Sequence, residues 1–302
     1  MLDDEAVEKY ITAGQIAADV RDEVSRMIRE EMQIIDICNM AEEMIRSLGG
    51  EPAFPCNVSV NEVAAHYSSP PGDTRRIPEG SIVKVDVGVH IDGYIADTAK
   101  TICFNPDYEG LVIAAEKALE RVIGMIHPGM KISDVSSKIQ MVIESYGFKP
   151  ISNLTGHQIG RYLIHAGKAV PNVSHISTSR FREGEVYAIE PFVTTRDASG
   201  TVKSGSEHYI FRFAKYKSPK NPDSRFLLNY IAKNFRTLPF SERWLMHLMD
   251  QERFRRVFHE LLSSRSIMSY PIFFEATGRP VAQAEHTILL GKDGIIVLTK
   301  RD

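Results

Sequence analysis

The most informative stretch of this chain is Lys84-Val-Asp-Val-Gly-Val-His-Ile-Asp-Gly-Tyr-Ile-Ala-Asp-Thr98. Hydrophobic residues alternate with other residues through its first half, which is the two-residue period of a β-strand. Asp92-Gly93 is a strong signal for a two-residue hairpin turn. With that turn, Asp97 lies opposite Gly88 on the face that carries Asp86. The stretch therefore predicts a β-hairpin with two carboxylates on one face.

Asp86 and Asp97 are diagonal neighbours in this hairpin, and such neighbours are about 7–8 Å apart at Cα. Aspartate is disfavoured inside strands, and two like charges that converge on one point repel each other unless a cation lies between them. One interpretation is that the two side chains bind a cation. The alternative is that they face water, because antiparallel sheets often have one solvated face.

Three more groups suited to metal binding lie in distant segments, namely His157, Glu190 and Glu285. Both glutamates are embedded in apolar, strand-like segments, where an unpaired charge is costly. Four carboxylates and one imidazole are too many for a closed structural zinc site. They suit two divalent ions about 3.5–4 Å apart, bridged by carboxylates and a water, and the charges balance.

The motifs as a set resemble those of type II methionine aminopeptidases, of the short form that lacks an N-terminal extension and is typical of archaea. The matching segments are Ala53-Phe-Pro55, Asn61-Glu-Val-Ala-Ala-His-Tyr67, the hairpin, Gly156-His-Gln-Ile-Gly160 with His165, Ala188-Ile-Glu-Pro191 and Ala284-Glu-His286. They occur in the order and spacing of the family over nearly the whole chain. Each motif is weak alone, and the set is specific.

The resemblance implies an α+β fold, the pita-bread fold of creatinase and the aminopeptidases, with two divalent metal ions (Co, Mn, Fe or Zn). It implies that Asp97 and Glu285 bridge the ions, that Asp86 holds one ion, and that His157 and Glu190 hold the other. Glu190 is also the candidate for moving a proton from the water to the leaving amine.

The resemblance assigns catalytic and substrate-binding roles to His66 and His165, which hydrogen-bond the substrate amide and stabilise the tetrahedral intermediate. It places Phe54, Ile164, His208 and Tyr270 around the methionine side chain. The implied activity is removal of the N-terminal methionine from nascent proteins and peptides whose second residue is small. Phe54 and Ile164 are equally compatible with ordinary core positions.

A faint internal repeat appears when the chain is shifted against itself by 98 residues. Asp36 then meets Asp134, and Gly49 meets Gly147, at the start and just past the end of predicted helices. The repeat predicts two related halves that meet at a pseudo-twofold axis.

Residues 214–272 differ from the rest and match the helical insertion of the type II enzymes. We expect a catalytic pita-bread domain at residues 1–213 plus 273–302, with residues 214–272 as an insertion subdomain. Between Lys215 and Arg265 there are 11 Lys and Arg against 5 Asp and Glu. This positive charge favours contact with ribosomal RNA near the nascent chain. The alternative is a solvated helical face that only packs on the rim.

The composition agrees with a cytoplasmic enzyme. Three scattered cysteines argue against a disulfide framework, and neither a signal peptide nor a membrane span is visible. The family suggests a monomer. Two other readings stay open: a proline-directed peptidase of the same fold (aminopeptidase P or prolidase), which usually carries an additional N-terminal domain, and a binding protein that has lost its metals.

Overall fold

The computed structural model describes residues 2–292 and 294–301. Met1, Asp293 and Asp302, which belong to the expected catalytic domain, lie outside the described residues. The helices are α1 (Asp4–Met27), α2 (Ile34–Ser47), α3 (Glu109–Ile123), α4 (Ile132–Ser145), α5 (Pro222–Asn234) and α6 (Gln251–Ser263). Short 3-10 helices cover Pro106–Tyr108, Glu242–Trp244 and Met246–Leu248.

The strands are β1 (Glu51–Pro52), β2 (Asn57–Val60), β3 (Val63–Ala65), β4 (Ile82–Ile91), β5 (Tyr94–Cys103), β6 (Lys149–Pro150), β7 (Thr155–Ile159), β8 (Ala169–Pro171), β9 (Val186–Ile189), β10 (Phe192–Thr194), β11 (Val202–Phe213), β12 (Pro239–Phe240), β13 (Ile267–Glu275), β14 (Val281–Gln283), β15 (His286–Leu290) and β16 (Ile295–Val297). Every pair of neighbouring strands is antiparallel.

The predicted hairpin is β4 and β5, and its register is confirmed. Gly88 pairs with Asp97, and Asp86 pairs with Ala99. Asp92 and Gly93 both have positive φ, at 50° and 86°, as a type I′ turn requires. The valines of β4 pack into a core with α1 and α2. That packing directs the opposite face of the hairpin, with both aspartates, toward the interior of the molecule.

The predicted repeat appears in the element boundaries. Helix α4 begins and ends 98 residues after α2, and β6 lies 98 residues after β1. Gly49 and Gly147 have φ of 88° and 83°, the left-handed conformation that glycine adopts just past a helix end. Helices α1 and α2 cover one core, and α3 and α4 cover a second. The two halves therefore repeat one arrangement of helices against strands.

Within the described residues the strands form four sheets, and residues from each sheet line one central cavity. Their orders are β1-β4-β2 with β5 on β4, β14-β10-β6, β12-β11-β13-β3, and β16-β15-β9-β7-β8. Hydrogen bonds also join separate sheets. Thr287 Oγ1 accepts from Asp97 N at 2.7 Å and donates to Asp97 O at 2.7 Å. These bonds fix the hairpin against β15.

The insertion has a hydrophobic core of its own, built from α5, α6 and the strands beside them. It is also continuous with the rest of the molecule, because β13 pairs with β11 along most of its length and with β3. The expected boundary at residue 272 falls inside β13. The division of the chain into two domains stays a prediction. Within the described residues, no helix has the length and apolar character needed to cross a membrane.

Candidate metal centre and substrate pocket

The five predicted metal ligands converge from five separate segments. Asp86 is on β4 and Asp97 on β5, His157 is on β7, Glu190 follows β9, and Glu285 precedes β15. All five line one cavity of about 200 Å³. One ligand atom from each of Asp97, His157 and Glu285 lies within 4.8 Å of the others. His157 Nε2 is 3.4 Å from Glu190 Oε1 and 3.6 Å from Asp97 Oδ2.

Asp97 and Glu285 are buried and Asp86 and Glu190 are half-buried, which excludes the water-facing alternative for Asp97. Asp97 is 4% exposed and Glu285 is 2% exposed. Burial raises the pKa of Asp86 to about 7. The pKa values of Asp97, Glu190 and Glu285 are raised well above their ordinary values, mainly by burial and then by the charges of the neighbouring carboxylates. Four acidic groups are thus held where ionisation is unfavourable without a cation.

The donor set of the cluster fits a divalent metal. Burial lowers the pKa of His157 to about 3, so its imidazole is neutral at physiological pH and can act as a ligand. Oδ1 of Asp86 and Oδ1 of Asp97 are buried and have no hydrogen-bond partner among the described residues. Unpaired buried carboxylate oxygens are costly unless a cation or a proton satisfies them.

His66 and His165 lie in the same cavity. His66 has a φ of 67°, and its Nδ1 lies 3.2 Å from Pro271 O. Burial lowers the pKa of His66 to about 4, so the ring is neutral. His165 is exposed at the mouth of the cavity, and its ring centroid is 4.4 Å from that of His157.

Three of the four predicted methionine-pocket residues, Phe54, Ile164 and Tyr270, line the cavity with the metal-ligand candidates. His208 does not line it: it is exposed on β11 opposite Pro271. Register shifts occur on both sides of His208, and such irregularities change the face toward which a strand residue points. The assignment of His208 to the pocket stays a prediction from the resemblance.

The sequence motifs did not single out Gln283, which lies beside two of the carboxylates. Its Nε2 donates to Glu285 Oε2 at 3.2 Å, and its amide also lowers the pKa of Asp86, although burial is the larger influence on that group. Further cavity residues that were not predicted are Asn57, Ile210, Pro239 and Phe273. One sequence signal for Gln283 existed: it is a polar residue in an apolar segment, two positions before Glu285.

A model of metallopeptidase family M24 matches residues 8–211. The methionine aminopeptidase of Methanocaldococcus jannaschii is 44% identical over 296 residues, which cover 98% of this chain and 99% of that protein. The crystal structure of methionine aminopeptidase from Thermotoga maritima is 25% identical with a TM-score of 0.70, covering 99% of this chain and 98% of that one.

A structure of a thermophilic Arx1 is similar in fold, with a TM-score of 0.83 at 22% identity, covering 99% of this chain and 91% of that one. At that identity the likeness shows the fold alone. The comparisons as a set confirm the fold class and the family resemblance that the sequence motifs predicted.

Proposed function

The chain belongs to metallopeptidase family M24, and we propose that it is a methionine aminopeptidase that hydrolyses the first peptide bond when the second residue is small. The observation that carries this proposal is one cavity that joins the carboxylate and imidazole cluster to an apolar, aromatic pocket. The 44% identity over 98% of the chain to a protein of that name supports it.

Two divalent ions, either Co, Mn, Fe or Zn, are the cofactors we propose. Asp97 and Glu285 would be shared between the ions, Asp86 would hold one, and His157 with Glu190 would hold the other. Mixed carboxylate and imidazole ligands admit each of these metals. When bound, the ions supply a water activated for attack and polarise the carbonyl of the first peptide bond.

Glu190 would carry the proton of this reaction. Its side chain is 12% exposed and lines the cavity beside His157. A cavity-facing carboxylate beside another metal-ligand candidate is within reach of the activated water and can accept and pass on a proton. Glu190 would take a proton from the attacking water and deliver it to the departing amine.

The two histidines would act on opposite ends of the scissile amide. Pro271 O is a hydrogen-bond acceptor, so the proton of neutral His66 belongs on Nδ1 and Nε2 is left as an acceptor. His66 would therefore accept from the substrate N–H. His165, at the cavity mouth, would donate to the carbonyl oxygen as negative charge develops on it.

Methionine would lie among Phe54, Ile164 and Tyr270. The adjoining Phe273 and Ile210 add apolar surface to the same cavity. Aromatic edges favour contact with a thioether sulfur, and an unbranched side chain fills an irregular pocket well. Crowding by His66 and His165 would limit the second residue to small side chains.

The natural substrates would be the N-termini of nascent polypeptides in the cytoplasm, with the enzyme acting as a monomer. The excess of Lys and Arg in the insertion supports contact with ribosomal RNA, and its alternative is a solvated face. Pelleting with purified ribosomes tests this. We expect binding in low salt that weakens as salt is raised, and absence of binding at every salt concentration would remove the ribosome contact from the proposal.

Hydrolysis of Met-Ala-Ser, Met-Leu-Ser and Ala-Pro-Ala tests the activity itself. The protein would first be stripped of metal and then given Co, Mn, Fe or Zn. We expect metal-dependent release of methionine from Met-Ala-Ser alone. Release of alanine from Ala-Pro-Ala would instead favour the proline-directed reading, and absence of cleavage with every metal would favour a binding protein.

A further inference from the structure

Glu42 is a buried acid on α2, outside the metal centre. It is 2% exposed, and its two carboxylate oxygens accept four hydrogen bonds. Arg243 donates to both oxygens at 2.7 and 2.8 Å, Trp244 Nε1 donates at 2.7 Å, and the Cys56 backbone N–H donates at 3.2 Å. Every donor comes from a segment other than α2, so this one carboxylate connects distant parts of the chain.

Arg243 extends the cluster toward His66. Its Nη2 donates to Ser68 Oγ at 3.2 Å, and its Nε donates to the Ser69 carbonyl at 2.7 Å. Its Nη1 also reaches Asn39 Oδ1 at 2.7 Å. All three guanidinium nitrogens are thus hydrogen-bonded, and two of them hold the residues that directly follow His66-Tyr67. The planar fork of arginine fixes direction as well as charge.

The segments joined by this cluster are those that line the substrate side of the cavity. Phe54 lies two residues before Cys56 and Asn57 directly follows it, and His66 lies two residues before Ser68. Pro239, which also lines the cavity, belongs to the insertion that carries Arg243. None of the five metal-ligand candidates takes part in the cluster.

The insertion also holds His66 from its other side. Pro271 O lies beside the His66 Nδ1, and the ring of Tyr270 packs against the imidazole with the centroids 5.6 Å apart. Phe273, just past the insertion, completes this side with its ring centroid 4.7 Å from that of His66. A positive φ at a residue other than glycine persists only where the surroundings hold it in place. For His66, part of those surroundings comes from the insertion, through Tyr270 and Pro271.

We infer that the Glu42–Arg243–Trp244 cluster is a positioning device through which the insertion fixes Phe54 and His66 for the methionine substrate. This inference rests on the proposed function. It assigns the insertion a part in building the substrate side of the site. A defect in the cluster should therefore act on substrate binding and turnover, and leave metal binding unchanged.

Arg243→Lys in the full-length, metal-loaded protein is the first test. Lysine keeps the positive charge but cannot reproduce the fork that joins Glu42, Ser68 and Ser69. We expect kcat/KM for Met-Ala-Ser to fall at least 10-fold, with metal affinity equal to that of the wild type by calorimetry. The matched control is Arg253→Lys, which alters an exposed Arg–Asp223 pair in the same insertion and should leave both quantities unchanged.

The same result separates the inference from the proposed function. Wild-type kinetics in Arg243→Lys, or a parallel loss of metal affinity, would overturn the positioning role. Absence of methionine release from the wild type and both variants would instead speak against the proposed function. If Arg243→Lys does not fold, Ser68→Ala removes one bond of the cluster and should still lower kcat/KM without altering metal affinity.

Trp244 supplies a readout that does not depend on activity. It is the single tryptophan of the chain, and it is bonded directly to Glu42. L-Methionine added to the metal-loaded wild type should change the tryptophan emission, equally so in Arg253→Lys and less in Arg243→Lys. An unchanged emission in the wild type, under conditions where calorimetry detects methionine binding, would contradict the inference.

Discussion

Gln283 holds two carboxylates of the candidate metal centre in fixed relation. It donates to Glu285 and interacts with Asp86, which come from segments far apart in the sequence. Its own backbone is held by Thr101, whose Oγ1 donates to Gln283 O at 2.6 Å and accepts from Gln283 N at 2.9 Å. A ligand oriented by a constrained partner binds metal in one geometry.

Replacing Gln283 with methionine should lower metal affinity or activity by about 10–100-fold, the usual cost of losing a partner that orients a metal ligand. Titration of the stripped protein with Mn or Co in a calorimeter measures the affinity. Gln158→Met is the control, since it sits next to His157 on β7 and outside the cavity lining. Wild-type affinity in Gln283→Met would contradict the orienting role.

At the residue scale, the sequence could predict which side chains gather in the cavity, because charged residues inside apolar strands need a partner. Asp86, Asp97, His157, Glu190 and Glu285 all carry that signal, and the structure brings them together. It could not predict the register shifts on both sides of His208, which is not among the residues that line the cavity. Glu42 and Arg243 gave no sequence signal, since their pairing joins residues far apart in the chain.

The hairpin of β4 and β5 approaches Phe54 closely at Gly88. A Cβ on Gly88 would lie 2.1 Å from a Phe54 ring carbon, well inside van der Waals contact. Gly88→Ala should therefore displace Phe54 from the proposed methionine pocket at a cost of about 1–3 kcal/mol. We expect a higher KM for Met-Ala-Ser with unchanged metal affinity, measured by steady-state kinetics and calorimetry. An unaltered KM would show that Phe54 does not shape the pocket.

The turn of this hairpin should be sensitive to acid. His90 Nδ1 accepts from Gly93 N at 3.1 Å. Burial lowers the pKa of His90 to about 4, while the charge of Asp92 raises this pKa and that of Arg236 lowers it, both to a smaller extent. Below the ordinary pKa of histidine, the His90 imidazole binds a proton in the unfolded chain but stays neutral in the folded protein. Folding therefore loses stability as pH falls from about 6.5 toward 4.

Between pH 7 and pH 5 this group should contribute a loss of about 2 kcal/mol in the free energy of unfolding. Denaturant unfolding of the metal-loaded wild type and of His90→Gln at both pH values measures it. The wild type should lose more stability than the variant. Equal losses in the two proteins would show that His90 titrates normally.

At the scale of elements, local sequence signals predicted the hairpin and the helices, whereas the pairing of strands far apart in the chain could not be predicted. Asp92-Gly93 predicted the register of β4 and β5, because a two-residue turn leaves one pairing available. The 98-residue internal repeat predicted two equivalent helices, which are α2 and α4. The continuity of β13 across the expected boundary at residue 272 depends on pairing with β11, to which it is connected through two helices.

The whole molecule concentrates buried negative charge where its two halves meet. In the folded chain the pKa of Asp86 is raised to about 7 from an ordinary 3.8, and burial and mutual repulsion raise the pKa values of Asp97, Glu190 and Glu285 well above their ordinary values. Without metal, these groups add stability at low pH, and that stability is lost as pH rises through 7. A divalent cation removes this dependence by pairing with the carboxylates.

The stability difference between metal-loaded and metal-stripped protein should therefore grow by at least about 1.4 kcal/mol from pH 6 to pH 8. Because both forms contain the same histidines, their titration cancels in the difference. Denaturant unfolding at a fixed free metal concentration measures it. A difference that does not change with pH would contradict the raised pKa values of the carboxylates.

The fold of the whole molecule could be predicted because each half repeats one pattern and the family motifs span nearly the entire chain. The placement of the insertion against α2 and His66 could not, because it depends on a few long-range bonds. Arg243 and Trp244 are ordinary residues in sequence, and only the folded chain shows that they meet Glu42.

Anomalous X-ray diffraction from crystals grown with Co and L-methionine tests the central claim most directly. We predict two anomalous peaks between Asp97 and Glu285, one next to Asp86 and the other next to His157 and Glu190. The methionine side chain should lie between Phe54 and Ile164. A single peak, a peak away from this cluster, or methionine bound outside the pocket would contradict the account.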